Sequence, residues 1–320
     1  MKVTEHLEKA KKHNKTLFSI ELLPPLKGQS MQSIFNAIDP LLDFDPAFIN
    51  VTYHREEFFY KEIKEGLLEK ITLRKRPGTV AICAALEHKY RIDTVPHIIC
   101  GGFTIEETEN ALVDLNFLGI DNILVLRGDP MKNEPSFIPE EKGNKYASEL
   151  VNQVSNMNKG KYVYGQVESA QSTNFCIGVA GYPEKHYEAS NLQSDMMYLK
   201  KKIDLGAEYI VTQMFFDNQK YFDFVNACRE NDINVPIIPG IKPIATKDQL
   251  INLPKIFHID IPESLACEIR KAENNEQVRQ IGTEWAINQS KELVSFGVPC
   301  LHYYTMGKSK TVKEIASKVF

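Results

Sequence analysis

Glu21 is a carboxylate inside an apolar run, Phe18-Ser19-Ile20-Glu21-Leu22-Leu23, which Pro24 and Pro25 end at once. Desolvation disfavours an ionised carboxylate, so burial in such a run would raise its pKa toward general-acid work. A structural pairing with an arginine inside the fold would account for the residue equally well, and the local sequence leaves both readings open. Other polar side chains also stand where apolar runs stop: Thr52, Arg127 with Asp129, Gln213 and Thr305. A lone carboxylate at such a place is more often a loop or cap residue, whereas several converging on one face can make a site. Thiol and metal chemistry have less support. Cys83, Cys100, Cys176, Cys228, Cys267 and Cys300 lie far apart with no CxxC pair, the pattern of ordinary reduced thiols, and no metal site is expected.

The elements that must carry these residues are eight strand-like apolar runs. They are Leu17 to Leu23, Ala47 to Tyr53, Thr79 to Ala85, Asn122 to Leu126, Phe175 to Ala180, Tyr209 to Gln213, Pro236 to Ile241 and Cys300 to Tyr304. Amphipathic stretches such as Glu106 to Leu118, Met196 to Leu205 and Tyr221 to Arg229 have the helical spacing. Near-continuous apolar strands alternating with helices predict a parallel sheet covered by helices. Eight units favour a closed (β/α)8 TIM barrel with extra helices over an open doubly wound sheet, and no GxGxxG follows the first strand. In such a barrel the strand-end residues ring the active-site face. The expectation is a single catalytic domain over residues 1–320. It carries an insertion near residues 158–174, read as a surface hairpin, and a long helix around Ala272 to Ser295.

Composition agrees with an enzyme core. The chain of 320 residues is 43% hydrophobic and 25% charged, enough to bury a large interior. A net charge of −4 without a basic stripe argues against nucleic acid or an anionic membrane as partner. The N-terminal stretch is polar and helical in pattern rather than a signal peptide, and no apolar run is long enough to span a bilayer, so a cytoplasmic protein is expected.

Eight short segments then occur in order: FSIELLPP, NVTYH, LRGDP, AGYPEKH, D…LKKKIDLGA, TQMFFD, IPGIKPI and HYYTMGK. Each is weak alone. Together, over roughly residues 15 to 318, they resemble the methylenetetrahydrofolate reductase family, in its short bacterial form of the catalytic barrel alone. The resemblance implies non-covalent FAD and NADH or NADPH as co-substrate, with 5,10-methylenetetrahydrofolate reduced to 5-methyltetrahydrofolate. It implies ping-pong hydride transfer through flavin N5, a place in one-carbon metabolism supplying methyl groups for methionine, and a homo-oligomer.

The resemblance also implies residue roles. Glu21 matches the acid that protonates folate N10 as the five-membered ring opens. Asp129, Gln213, Gln249 and Lys308 match folate contacts, while Thr52 and Gln213 match contacts to the nicotinamide. Tyr53, His97, Arg127, Gly128, Asp129, Tyr146, Ala147, Tyr182, His186, Ala189, Asp195, Lys201 and Lys202 match cofactor contacts. Without the resemblance, Lys201 and Lys202 read as a solvated helix face, His97 and His186 as satisfied loop histidines, and Tyr53 and Tyr182 as rim packing. The chain departs from the family pattern at several places. Lys308 and Lys201 stand for arginines, Leu253 for a phenylalanine over the substrate and Tyr198 for an asparagine. Lysine keeps charge but loses the bidentate fork. The alternatives are another FAD-binding TIM-barrel oxidoreductase of proline-dehydrogenase type, a non-catalytic flavin- or folate-binding paralogue, and a reductase fed by a partner protein. No regulatory domain is expected beyond residue 320.

Overall fold

The computed structural model describes residues 1–131, 134–163, 165, 170–307 and 309–320. Its strands are β1 (Leu17–Leu22), β2 (Phe48–Val51), β3 (Glu57–Lys64), β4 (Leu67–Leu73), β5 (Asp93–Ile99), β6 (Asn122–Leu126), β7 (Cys176–Gly181), β8 (Tyr209–Thr212), β9 (Ile237–Ile238), β10 (Gly240–Ile241) and β11 (Cys300–Tyr304). Nine of them form one sheet in the order β10-β11-β1-β2-β5-β6-β7-β8-β9, every pair parallel.

Its two ends meet across one residue. Pro239 has no N–H to give, so the seventh strand splits: β9 pairs with β8, β10 pairs with β11, and the Pro239 carbonyl accepts the His302 N–H at 3.1 Å. Counted as one strand, β9 and β10 close a TIM barrel of eight.

Strand side chains alternate between the two surfaces of the sheet. Ile20, Leu22, Ile49, Val51, Ile123, Val125, Ile177, Val179, Leu301 and Tyr303 join the core shared with the outer helices. Phe48, Val95, Leu124, Cys176, Tyr209, Ile238 and Cys300 form a second cluster inside the barrel, closed below by Val3 and Leu7 of the Val3–Lys12 helix. Tyr209 crosses this floor to donate to the Ile123 carbonyl at 3.3 Å. It can do so because Gly178 opposite has no side chain; a Cβ there would lie 2.3 Å from the ring.

The floor plug is tied by Asp93 at the start of β5. Its carboxylate takes the Met1 amino group at 2.6 Å and His6 Nε2 at 2.7 Å. Burial pushes the Asp93 pKa up, but these bonds and charges outweigh it and hold it below the usual range. A depressed carboxylate stabilises above its unfolded pKa and loses that contribution as pH falls through the folded value. Asp93→Asn should therefore cost about 1 kcal/mol at neutral pH. In thermal melts the gap to wild type should close below about pH 4; a constant gap would contradict this account.

The third strand is not where the sequence suggested. Thr79 to Ala85 lies in a helix, Thr79–Tyr90, entered at Gly78 and left through Arg91 at φ 56°. TVAICAAL is apolar after its first residue, and in so short an apolar run periodicity cannot separate strand from helix, so its alanines and leucine prevail. The barrel strand is β5, DTVPHII, whose Pro96 masks it because proline gives no ladder donor. The antiparallel hairpin β3–β4 was also not anticipated; it pairs Phe59 with Ile71 and turns at Gly66. The long helix is present as Asn275–Phe296. The Asn158 to Asn174 insertion lies only partly within the described residues, which include an isolated bridge between Tyr162 and Gly165. Among the described residues, no helix is long and apolar enough to cross a membrane.

Candidate active site

A period of two along each strand puts a polar layer directly above the apolar floor. Ser19, Asn50, His97 and His302 are all buried there. Ser19 Oγ meets His302 Nδ1 at 2.9 Å, and Asn50 Nδ2 meets His97 Nε2 at 3.3 Å. Burial, with the charges of His302 and His54, lowers the His97 pKa to about 3; burial alone brings His302 to about 3. Both rings are therefore neutral at ordinary pH. His97 was expected to be a flavin contact; the structure places it within β5, its side chain only 5% exposed and its Nε2 3.6 Å from Glu21 Oε2.

Glu21 stands one layer higher, beside Tyr304 in register. Its side chain is 14% exposed. Burial raises its pKa to about 8, and the charge of Lys242 offsets this in part. The alternative of an arginine partner inside the barrel has no counterpart among the described residues; the cation that reaches Glu21 is a lysine. A carboxylic acid with this pKa is mostly protonated at neutral pH, the state a proton donor needs. Tyr304 adjoins it, with its hydroxyl donating to the Thr212 carbonyl at 2.6 Å, and burial and the Glu21 charge raise its pKa.

Across the mouth, the Thr52 hydroxyl donates to the Leu22 carbonyl at 3.3 Å and also meets His54 Nε2 at 3.3 Å. Asp129 follows β6, and its charge is felt at both His54 beyond β2 and Tyr182 beyond β7. Gln213 follows β8; its Oε1 accepts the Met214 N–H at 2.9 Å, and its N–H goes to the Gly181 carbonyl. Glu21, Thr52, Asp129 and Gln213 thus all stand at the carboxyl end of the barrel strands.

A second group extends from β6 and β7. Gly128 has φ 87°, a conformation that favours glycine, and a Cβ there would sit 3.4 Å from the Ile99 side chain. Arg127 pairs with Glu188 and lies 5.0 Å over the Phe137 ring. Tyr182 is edge-on to His186 at 4.7 Å, and the His186 N–H reaches Asp195 Oδ2 at 2.9 Å. Ala189 is buried beneath this loop, its carbonyl accepting Lys185 Nζ at 2.6 Å. Lys202 Nζ donates to the Ala180 carbonyl at 2.9 Å; burial lowers its pKa to about 8, and Asp195 offsets part of that. The loop is braced from outside: Glu184 Oε2 accepts the Asp260 N–H at 2.8 Å, and Tyr187 stacks on His258 at 4.5 Å.

This donor set fits a dinucleotide cofactor. Two cations, Arg127 and Lys202, can face a diphosphate, and Asp195 can accept ribose hydroxyls. Tyr53, which follows β2, has its ring 5.0 Å from that of Phe103.

Other expected positions lie on the helices that follow the strands. Lys201 lines an outer groove with Asn152, Asn156 and Leu205. Tyr146 and Ala147 start the Ala147–Met157 helix, with Tyr146 largely exposed, and Tyr198 is exposed on the Leu192–Asp204 helix. Gln249 is engaged with backbone, its Oε1 accepting the N–H groups of Ala245 at 2.6 Å and Thr246 at 3.1 Å. Leu253 is buried in a cluster with Met214, Phe216, Ile244 and Leu265. Lys308 lies outside the described residues. Sequence reasoning passed over Lys242, although it directly follows the apolar run Ile237 to Ile241, the same strand-end signal that identified Glu21 and Gln213.

A family model described as methylenetetrahydrofolate reductase matches residues 5–319. Methylenetetrahydrofolate reductase (NADH) 1 of Arabidopsis thaliana is 32% identical over 97% of this chain and 49% of its own length. The 5,10-methylenetetrahydrofolate reductase of Buchnera aphidicola is 31% identical over 92% of this chain and 88% of its own. The chain thus spans about half the length of the plant relative and most of the bacterial one. A solved structure from Clostridium thermocellum, described as an uncharacterized protein that binds two copies of 5-methyl-5,6,7,8-tetrahydrofolic acid, covers 97% of this chain and 96% of its own. Its TM-score of 0.55 at 14% identity supports the barrel fold. With the family model running from the floor plug to the last helix, through every strand that builds the mouth, the chain belongs to the methylenetetrahydrofolate reductase family.

Proposed function

We propose that this chain reduces 5,10-methylenetetrahydrofolate to 5-methyltetrahydrofolate with electrons from NADH or NADPH, and that it holds FAD non-covalently at the barrel mouth. The observation that carries the reading is Glu21, a carboxyl group with a pKa near 8 at the mouth of a family barrel. Bound flavin would supply the hydride relay between the nicotinamide and the folate.

The chain's own residues have separable tasks in this reading. Arg127 and Lys202 offset the cofactor's phosphate charge, Asp195 takes ribose hydroxyls, and Tyr53, Gly128, Tyr182, His186 and Ala189 shape its cradle. Tyr146, Ala147 and Lys201 would serve its outer end. Asp129 and Gln213 orient the pterin, and Gln213 with Thr52 contacts the nicotinamide, which suits a single position used by the two substrates in turn. Gln249 and Lys308 would meet the folate tail. Glu21 donates its proton to folate N10 as the ring opens, and His97 beneath it, being neutral, adds no positive charge that would lower the pKa of this acid. We take residues 1–320 as one catalytic domain, acting in the cytoplasm as a homo-oligomer and supplying methyl groups for methionine synthesis.

The visible spectrum of the purified protein tests the reading. A flavin band should bleach with NADH or NADPH and return on anaerobic addition of methylenetetrahydrofolate. A protein that takes up no FAD, or a reduced flavin that the folate cannot reoxidise, would overturn it.

A further inference from the structure

The hairpin β3–β4 has a consequence at its base. It returns the chain to the mouth through Leu73-Arg74-Lys75-Arg76-Pro77. The Lys75 carbonyl accepts the Lys27 N–H at 2.7 Å, and the Arg76 guanidinium donates to the Pro24 carbonyl. Pro24 is three residues beyond Glu21, so this anchoring sets Arg76 on the rim above the proposed acid. Arg74 Nε donates to the Arg76 carbonyl at 3.2 Å, holding the two side chains in one segment.

Two neighbouring cations are paired with carboxylates, Lys75 with Glu57, and Arg55 with Glu134 at 3.3 Å and with Glu140 at 3.8 Å. Among the described residues, Arg74 and Arg76 meet backbone carbonyls and neither forms an ion pair. Each guanidinium carries five N–H donors in a planar fork, so most of them remain for a ligand. The charges that face this segment are known. Arg76 acts on His54, which also feels Asp129, and Arg74 acts on Tyr53 together with Glu56 and Glu107. The charges of the two arginines are thus felt at Tyr53 and His54, which follow β2 at the mouth. An isolated surface arginine is commonly only solvated. Two tethered to the rim of one mouth, each with a free fork, match an oxyanion group.

We propose that Arg74 and Arg76 bind the anionic tail of a substrate entering the mouth. The tail is either the phosphates of the nicotinamide dinucleotide or the glutamate carboxylates of the folate. This rests on the proposed function, since that reading supplies the two substrates.

The test uses the flavin-loaded enzyme and its Arg74→Gln/Arg76→Gln variant. Glutamine at position 76 keeps an N–H for the Pro24 carbonyl, and a melting curve checks the fold. Stopped-flow reduction by NADH and reoxidation by methylenetetrahydrofolate give a separate apparent Kd for each substrate. One of them should rise about tenfold, with its limiting rate within about twofold. Arg76→Lys should recover only part of the loss, because charge returns without the fork. A rise confined to NADH assigns the phosphates. A rise confined to the folate, larger for a triglutamate than for a monoglutamate, assigns the carboxylates. Unchanged constants for both substrates, or a loss confined to flavin content, would overturn the proposal. Should the wild-type flavin exchange electrons with neither substrate, the functional reading itself fails. Calorimetry of pyrophosphate and of pteroyltriglutamate on the wild type and variant then decides the arginine site independently, equal heats sinking it.

Discussion

Glu21→Gln should leave a yellow protein that NADH still bleaches and that can no longer pass those electrons to methylenetetrahydrofolate. The substitution is nearly isosteric, and the carboxyl it replaces is already mostly neutral at pH 7 because burial raises its pKa to about 8. Fold and cofactor uptake should therefore survive. What disappears is the transferable proton. A glutamine amide can hydrogen-bond to folate N10 but cannot protonate it, and loss of a positioned acid typically costs about 10²–10⁴ in rate. The loss should fall on one half-reaction alone, because hydride transfer from nicotinamide needs no proton at N10. The wild-type folate step should also slow as pH rises through about 8, the range in which Glu21 loses its proton, while the residual rate of the variant should show no such limb. Equal survival of both half-reactions would place the proton donor elsewhere.

The contrast between Glu21 and His97 shows how far the sequence could be read. Seven of the eight proposed barrel strands coincide with strands of the barrel, and five of those runs end in a polar residue the sequence singles out, a pattern that is local. It was enough for the closed barrel, and it located Glu21, Thr52, Asp129 and Gln213 at the mouth. The third strand escaped because β5 contains Pro96 and the apolar helix Thr79–Tyr90 before it imitates a strand. With β5 unseen, His97 reads by itself as a loop histidine and through the resemblance as a cofactor contact, and the structure sets it one layer below Glu21. The polar layer of Ser19, Asn50, His97 and His302 was invisible for a related reason. Each of these residues comes from a different strand, and only the parallel pairing of β11, β1, β2 and β5, strands far apart in sequence, brings them together. The exposed outer faces of Lys201, Tyr146 and Tyr198 depend likewise on how helices rotate against one another, which spacing does not determine.

Lys242→Met should move the pH limit of folate reduction upward. Glu21 is raised by desolvation first, and the charge of Lys242 is what holds it near 8 rather than higher. Lys242 is itself 8% exposed, so little solvent intervenes to screen that charge. An opposite charge close to a carboxylate commonly lowers its pKa by about 1–3 units, and its removal should return a shift of that order. The sign follows directly: the proton donor would stay protonated to higher pH, so the basic limb of the folate half-reaction moves from about 8 toward 9 or beyond, while the nicotinamide half-reaction keeps its profile. Methionine fills most of the lysine's volume, which separates the electrostatic effect from a packing defect. Two outcomes would contradict this role. An unmoved limb would mean that Lys242 does not set the acidity of Glu21, and a raised Kd for folate with an unmoved limb would make it a substrate contact. A stronger acid gives up its proton more readily but is protonated less often at neutral pH. If Lys242 sets that balance, the variant should be slower at its plateau than the wild type while holding that plateau over a wider pH range.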